Sequence, residues 1–378
     1  MKILITSDWY YPIVNGVVRS ILNLKQYLID QGHDVRVLTL SHSIKSYKED
    51  GVYYIRSLGA GKVYPDARMS GILRSKEILE LIDWKPDIIH SQCEFSTFIM
   101  AKKISKKTKA PIVHTYHTVY EDYTHYFSPS KKVGKKLIAT LSRAVAKKVD
   151  KMIVPSIKTK NILLSYDIDE AKISVIPTGI EISKLSDKKT LREKYGYKDC
   201  EKILLYLGRL AEEKNIEELM DFYQKISLKD SRFLIVGGGP YLDKLKKYAK
   251  KIDKKIDFIG QVDPAIVKDY YQLADVFVSA SKSETQGLTY YEALSNGRLA
   301  LCRKDSCLEG VIINNFNGYQ YRDLDDFIEF LTIIFKDQDN KALMEENARR
   351  YALENFSIES FGKKCEKEYL KVLKKQGG

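Results

Sequence analysis

The chain has 378 residues, 44% of them hydrophobic and 30% charged, a balance that excludes intrinsic disorder and gives room for two domains of ordinary size. No apolar run approaches the roughly 20 residues of a spanning helix, Met1 to Ile5 enters a strand without a signal-peptide pattern, and the five scattered cysteines (Cys93, Cys200, Cys302, Cys307, Cys365) offer neither a disulfide framework nor Cys-x-x-Cys zinc spacing, so a cytoplasmic protein with reduced thiols is expected. The net charge of +13 resides wholly in residues 1–200, with 34 basic against 21 acidic side chains, whereas residues 201–378 balance at 29 each; one anionic partner surface on the first half is implied.

Along the chain, short apolar runs alternate with amphipathic helical patterns, the signature of a parallel α/β architecture. Strands are expected at 2–6, 34–40, 52–56, 87–91, 112–116 and 150–154, and the series restarts at 202–207, 232–236, 256–259, 275–280 and 299–302. Two doubly wound units in tandem follow, with the seam in the polar, strand-free stretch from Lys184 to Lys198. Sheets of this kind bind ligands at the C-terminal ends of their strands, so a cleft between the units is the expected active site.

After the first strand, Ser7 to Val18 feeds a helix through Asn15-Gly16. This is no Gly-x-Gly-x-x-Gly fingerprint, which argues against an ordinary NAD enzyme; Gly16 is readable as a simple cap or as an amide facing a phosphate. The segment His114 to Tyr126 holds three of the six histidines past an apolar strand, but spacing of 3 and 8 with no second ligand cluster is a poor zinc site, and no metal is expected. Between Lys131 and Lys148, Val133, Leu137, Leu141 and Val145 recur every four residues among Lys131, Lys132, Lys135, Lys136, Arg143, Lys147 and Lys148. The pattern suits an ordinary helix with its apolar side inward, or one that touches anionic lipid with a cationic rim. Nucleic acid is not expected, for no recognition helix, zinc finger or aromatic ribonucleoprotein motif accompanies the basic field.

In the second half, Leu207-Gly208-Arg209-Leu210-Ala211-Glu212-Glu213-Lys214-Asn215 follows an apolar strand. An arginine and a lysine five apart, where a strand runs through a glycine towards a helix, can address one diphosphate, the first as a fork and the second as a point charge. Gly237-Gly238-Gly239-Pro240 is a strand-to-helix turn. Further on, Glu284 and Glu292 flank Gln286-Gly287-Leu288, a break that puts Glu284 in a loop, Glu292 on a short helix ending near Asn296-Gly297, and free amides between them. Two hydroxyl-binding acids then straddle an anion seat, as a nucleotide sugar demands; a solvated pair of acids at a helix start is the alternative. The Asp-x-Asp pairs at 167/169, 323/325 and 337/339 do not directly follow an apolar strand and read as turns or helix starts.

Together, the Gly208-Arg209-Leu210…Lys214 and Glu284…Glu292 segments resemble family 4 of the retaining glycosyltransferases, and the resemblance spans nearly the whole chain. It implies two Rossmann-like domains with an interdomain cleft, the B-type glycosyltransferase fold: an acceptor-binding domain over 1–183, a nucleotide-sugar-binding domain over 184–357, and a last helix, about 358–378, returning to the first. It further implies that Arg209 and Lys214 hold the diphosphate, Glu292 the ribose, and Glu284 with Gln286, Gly287 and Leu288 the donor sugar, while Gly16 faces the donor phosphates and His117 lies beside the sugar. Arg209, Lys214, Glu284 and His117 are thereby the catalytic candidates. The Tyr120-Glu121-Asp122-Tyr123 run is similar to the subgroup that glucosylates diacylglycerol, in which this loop faces the acceptor. One departure is visible, since Gly297-Arg298-Leu299 lacks the proline of the family's Gly-x-Pro, a loss expected to matter little to chemistry. The implied activity is retaining transfer of a hexose, glucose from UDP-glucose, to 1,2-diacylglycerol by an enzyme peripheral on the inner face of the cell membrane, with no cofactor beyond the nucleotide sugar. A polysaccharide or soluble acceptor, and a non-catalytic partner subunit that binds nucleotide or an anionic surface, are the alternatives; the intact set of four donor residues argues against the latter.

Overall fold

The computed structural model describes residues 1–13, 15–60, 67–117 and 130–376, with Lys131 and Gln376 described by backbone only. The chain divides into two compact units, Met1–Gly179 with Ile358–Gly378, and Ile180–Ser357. In the first unit the elements run β1 (Lys2–Thr6), α1 (Gly16–Asp30), β2 (Asp34–Ser41), β3 (Tyr47–Glu49), β4 (Val52–Arg56), β5 (Leu58–Gly59), β6 (Arg68–Met69), α2 (Lys76–Trp84), β7 (Ile88–Ser91), α3 (Ser96–Thr108), β8 (Ile112–Thr115), α4 (Lys131–Ala146), β9 (Lys151–Val154), α5 (Ile157–Leu164) and β10 (Ile173–Val175). Their main sheet has the order β10-β9-β8-β7-β1-β2-β4-β3, parallel except for β3 against β4.

Strand β1 shows why such strands read as continuous apolar runs: Leu4 belongs to the core on one face with Phe98 and Ile104 of α3, while Ile3 and Ile5 belong to the core on the other with Ile21, Leu24 and Leu28 of α1. Side-chain caps start several helices, with Asn15 accepting from the Val18 amide at α1, Ser75 from Ile78 at α2 and Ser156 from Thr159 at α5.

The second unit follows with α6 (Lys188–Lys194), β11 (Lys202–Leu207), α7 (Ile216–Lys225), β12 (Ser231–Val236), α8 (Leu242–Ala249), β13 (Ile256–Gly260), α9 (Val267–Leu273), β14 (Val276–Ser279), α10 (Leu288–Ser295), β15 (Leu299–Arg303), β16 (Gly318–Tyr321), α11 (Leu324–Lys336) and α12 (Gln338–Phe356). Its sheet is β13-β12-β11-β14-β15-β16, with every pairing parallel. The last helix, α13 (Ile358–Gln376), belongs to the first unit and packs on α1. There Tyr369 Oη lies 2.6 Å from His90 Nδ1, Glu366 lies 2.9 Å from His33 Nε2, and Gly362 sits so tightly on Tyr27 that a Cβ would fall 2.1 Å from the ring.

The longer strands fall within two residues of the positions expected from the sequence. The short strands β3, β5, β6, β10 and β16 were not among those expected. The three Asp-x-Asp pairs are turn and cap devices: Asp169 accepts from the Ala171 amide, Asp323 caps α11 through Asp326 and Asp337 caps α12 through Asn340.

Candidate active site

In each sheet the chain winds outward one way and then the other, which places a topological switch between β1 and β7 in the first unit and between β11 and β14 in the second. Loops leaving the C-terminal ends of those strands are where an open α/β sheet presents ligand-binding groups. In the second unit they are Gly208 to Asn215 after β11 and Ala280 to Gly287 after β14, the two stretches that carry the expected donor residues.

Arg209 is exposed, and its guanidinium meets no carboxylate among the described residues. Its backbone, by contrast, is fixed. Gly208 N donates to Val236 O at 3.0 Å, Leu210 N to Gly238 O at 2.9 Å, and the Arg209 carbonyl accepts from Tyr206 Oη at 3.0 Å. The glycine turn after β12 makes this possible, since a Cβ on Gly237 would lie 1.9 Å from Gly208 O and one on Gly239 2.2 Å from Leu210 O. Its glycines are therefore required by close approach of the strand that carries Arg209.

Lys214 ends a one-turn helix, Glu212–Lys214, and its Nζ lies 2.5 Å from Glu284 Oε1, with both side chains less than one-fifth exposed. The structure thus brings the first acid of the pair against the lysine. Gln286 is buried, and Gly287 caps α10 in the left-handed region at φ 73, where a Cβ would strike the Tyr290 ring at 2.4 Å. Helix α10 begins at Leu288 with no side-chain cap among the described residues, which leaves its first amides available to an anion. Glu292 lies one helical turn on, and Tyr271 Oη donates to its Oε2 at 3.0 Å. Tyr271 was not legible as a candidate: it stands in a short, largely buried helix with no motif, 21 positions before its partner. At the family's proline position Leu299 pairs in the parallel ladder opposite Val276, and Arg298 is tied to Glu345 at 3.2 Å.

The switch region of the first unit is a buried polar cluster. Asp8, past β1, accepts from the Thr97 amide at 2.8 Å, while its second oxygen is buried without a partner among the described residues. Burial pushes this carboxyl up to about 6 against the Thr97 hydrogen bonds that favour the charged form. Beside it Ser7 Oγ lies 3.4 Å from Cys93 Sγ, whose thiol is raised by burial and by the two acids, and Glu94 faces His114 Nε2 at 3.2 Å. Past β8, His117 Nε2 meets Gln92 Oε1 at 2.6 Å; burial lowers the ring to about 4, so it is neutral, with its proton on Nε2 and Nδ1 left as an acceptor. Gly16 opens α1 and is exposed. Hence, of the four catalytic candidates, Arg209, Lys214 and Glu284 lie in the second unit and His117 in the first. Tyr120 and Glu121 lie outside the described residues, as does the side chain of Lys131.

Helix α4 differs from the simple inward reading of its apolar stripe. Gly134, Ile138, Ser142 and Val145 face the core, whereas Val133, Leu137 and Leu141 are 61%, 58% and 39% exposed, with Lys132, Lys135 and Lys136 exposed beside them. The repeat of four was real, but it marks the outer face for three of its four members.

Two family profiles match the chain, "Glycosyltransferase Family 4" over residues 14–184 and "Glycosyl transferases group 1" over residues 187–351. Among curated proteins, the alpha-monoglucosyldiacylglycerol synthase of Streptococcus pneumoniae is 34% identical over 99% of this chain and 86% of its own length. The chain belongs to glycosyltransferase family 4. The family member from Acholeplasma laidlawii, also an alpha-monoglucosyldiacylglycerol synthase, is 32% identical over 99% of this chain and 98% of its own. Solved structures agree on the B-type glycosyltransferase fold: HepE of Anabaena in complex with UDP and glucose superposes with a TM-score of 0.72 at 15% identity over 97% and 99% of the two chains. Sucrose-phosphate synthase from Thermosynechococcus elongatus gives 0.73 at 18% over 98% of each. The family makes this protein a glycosyltransferase whose co-substrate is a nucleotide sugar. No helix among the described residues is long and apolar enough to cross a membrane.

Proposed function

We propose that this glycosyltransferase moves glucose from UDP-glucose, with retention at the anomeric carbon, to the free hydroxyl of 1,2-diacylglycerol at an anionic membrane surface. The donor half rests on one observation: an Arg209 with no carboxylate partner among the described residues and a Glu284-bound Lys214 share the loop after β11, with α10 amides that no described side chain caps opposite across the switch point. A diphosphate replaces Glu284 as the partner of Lys214, is forked by Arg209 and caps α10. Glu284 is thereby released to the sugar hydroxyls, and Glu292, held by Tyr271, takes the ribose. In the first unit, the neutral His117 keeps an acceptor nitrogen.

The bond from C1 to the phosphate oxygen breaks with its electron pair going to the diphosphate, whose growing charge is met by Arg209, Lys214 and the loop amides. The acceptor oxygen bonds to C1 on the same face, and its proton passes to a phosphate oxygen. For the acceptor, full-length similarity to two alpha-monoglucosyldiacylglycerol synthases supports diacylglycerol. Docking is supported by α4, whose Val133, Leu137 and Leu141 line lies outside among lysines. Each basic residue near an anionic surface contributes about 1 kcal/mol, so a handful gives reversible attachment.

Purified protein given labelled UDP-glucose and vesicles of diacylglycerol in anionic phospholipid is expected to yield an α-glucosyl lipid, with its anomer read by proton NMR. Transfer only to water or to a soluble saccharide would overturn the acceptor, and a β product would overturn retention.

A further inference from the structure

Lys214 can serve a diphosphate only if the short turn that carries it is fixed, and the turn has little to fix it within itself. Its last residue is followed by Asn215 in the left-handed region at φ 52 and ψ 44, a conformation that asparagine adopts more readily than other side-chain-bearing residues and that reverses the chain before α7. What holds it there is Glu218. Asn215 Nδ2 donates to Glu218 Oε2 at 2.8 Å and the Glu218 amide donates back to Asn215 O at 3.2 Å, a reciprocal clasp about that residue. The other carboxylate oxygen, Oε1, accepts from Arg303 Nη1 at 2.6 Å at the end of β15 and from Tyr321 Oη at 3.1 Å at the end of β16.

The network continues towards the second motif. Tyr321 Oη is 3.4 Å from Ser279 O, Ser279 Oγ is 2.9 Å from Tyr290 Oη, and the Tyr290 ring lies under Gly287. One carboxylate therefore joins the lysine turn to two strand ends and, through them, to the loop before α10. Charge explains the choice of partners. An uncompensated anion close to a diphosphate seat would repel the ligand, whereas Glu218 paired with Arg303 is neutral as a unit and leaves the charges of Lys214 and Arg209 uncancelled.

We propose that Glu218 is a positioning residue for donor binding, and that with Arg303 it holds the Lys214 turn in the geometry that the second phosphate requires. This rests on the donor-site reading above. Glu218→Gln keeps the size but sets an amide donor against the donors of Asn215 or Arg303, and Arg303→Met leaves the carboxylate unneutralised.

The test is calorimetric binding of UDP and of UMP to the full chain, with a thermal melt of each variant. Wild type is expected to prefer UDP, because only its second phosphate reaches Lys214 and Arg209. In either variant UDP affinity should fall about tenfold while UMP affinity stays within about twofold, the scale of one charge-assisted hydrogen bond to the second phosphate. A merely structural role would lower both affinities together along with the melting temperature. That result, or two unchanged affinities, would overturn the proposal. Wild-type protein that binds neither nucleotide would instead overturn the donor reading itself, and this inference with it.

Discussion

The strand-end loops of the two units handle charge in opposite ways. In the second unit the ionised groups sit in the open or in direct ion pairs: Arg209 exposed, Lys214 on Glu284, Arg303 on Glu218. In the first, burial drives the ionisable groups towards neutrality, with Asp8 pushed up to about 6, His117 down to about 4 and His90 well below its usual range. The excess positive charge of that unit is carried instead on exposed α3 and α4 lysines. The contrast fits the roles proposed for the two units, since a nucleoside diphosphate brings charge that must be met, whereas a lipid hydroxyl brings none and needs a low-charge setting beside a surface that attracts anionic lipid.

The charged side faces the severest challenge to this contrast. Arg209→Ala is expected to lower kcat by about 100- to 1000-fold, the scale of removing one electrostatic stabiliser of the leaving group. Its melting temperature should stay near wild type, because the side chain is exposed. A rate within a few-fold of wild type would remove Arg209 from the chemistry.

On the neutral side, Asp8→Asn tests whether burial rather than pairing sets the local balance. The folded protein holds the Asp8 proton more tightly than the unfolded chain, so this residue lowers stability as pH rises from about 4 through 6. Removing it should eliminate roughly 2–3 kcal/mol of that fall, at about 1.36 kcal/mol per pKa unit, as read by denaturant titration at pH 4 and pH 7.5. His117 has the opposite sign, contributing stability above about pH 6.5 that is lost as pH falls towards 4. An unchanged pH dependence in Asp8→Asn would mean that the carboxyl is not buried as described.

The role of the surface charge is resolved further by Leu137→Glu, which changes the exposed line of α4 without touching the core and should weaken binding to anionic vesicles by about tenfold, one buried apolar side chain and one repelled charge. Equal binding would show that α4 does not touch lipid. Ile138→Glu, one position on but fully inward at 3% exposure, is expected to unfold the unit instead. The smallest effect should come from Tyr271→Phe, raising KM for the nucleotide sugar a few-fold with kcat little changed, the scale of one hydrogen bond to a carboxylate. A kcat defect without a KM change would assign Tyr271 elsewhere.

These residues also mark how far the sequence could be read. Most of the parallel strands were legible because each is an apolar run between turn signals, and Arg209, Lys214, Glu284 and Glu292 were legible as candidates because motif spacing carries them. The phase of α4 was not, since both Val133-Leu137-Leu141 and Gly134-Ile138-Ser142-Val145 lie on consistent helical lines and only packing selects the second as the core face. Nor were Glu218 and Tyr271, whose partners are defined by hydrogen bonds reaching across 21, 85 or 103 positions. The Lys214–Glu284 pair joins two motifs that sequence could only assign to separate parts of one ligand.

A crystal structure with UDP-glucose tests most directly whether that ion pair is the donor seat. Lys214 Nζ is expected to leave Glu284 for a phosphate oxygen, with Arg209 on the same diphosphate and the freed carboxylate on sugar hydroxyls. An intact Lys214–Glu284 pair with the nucleotide bound elsewhere would contradict it.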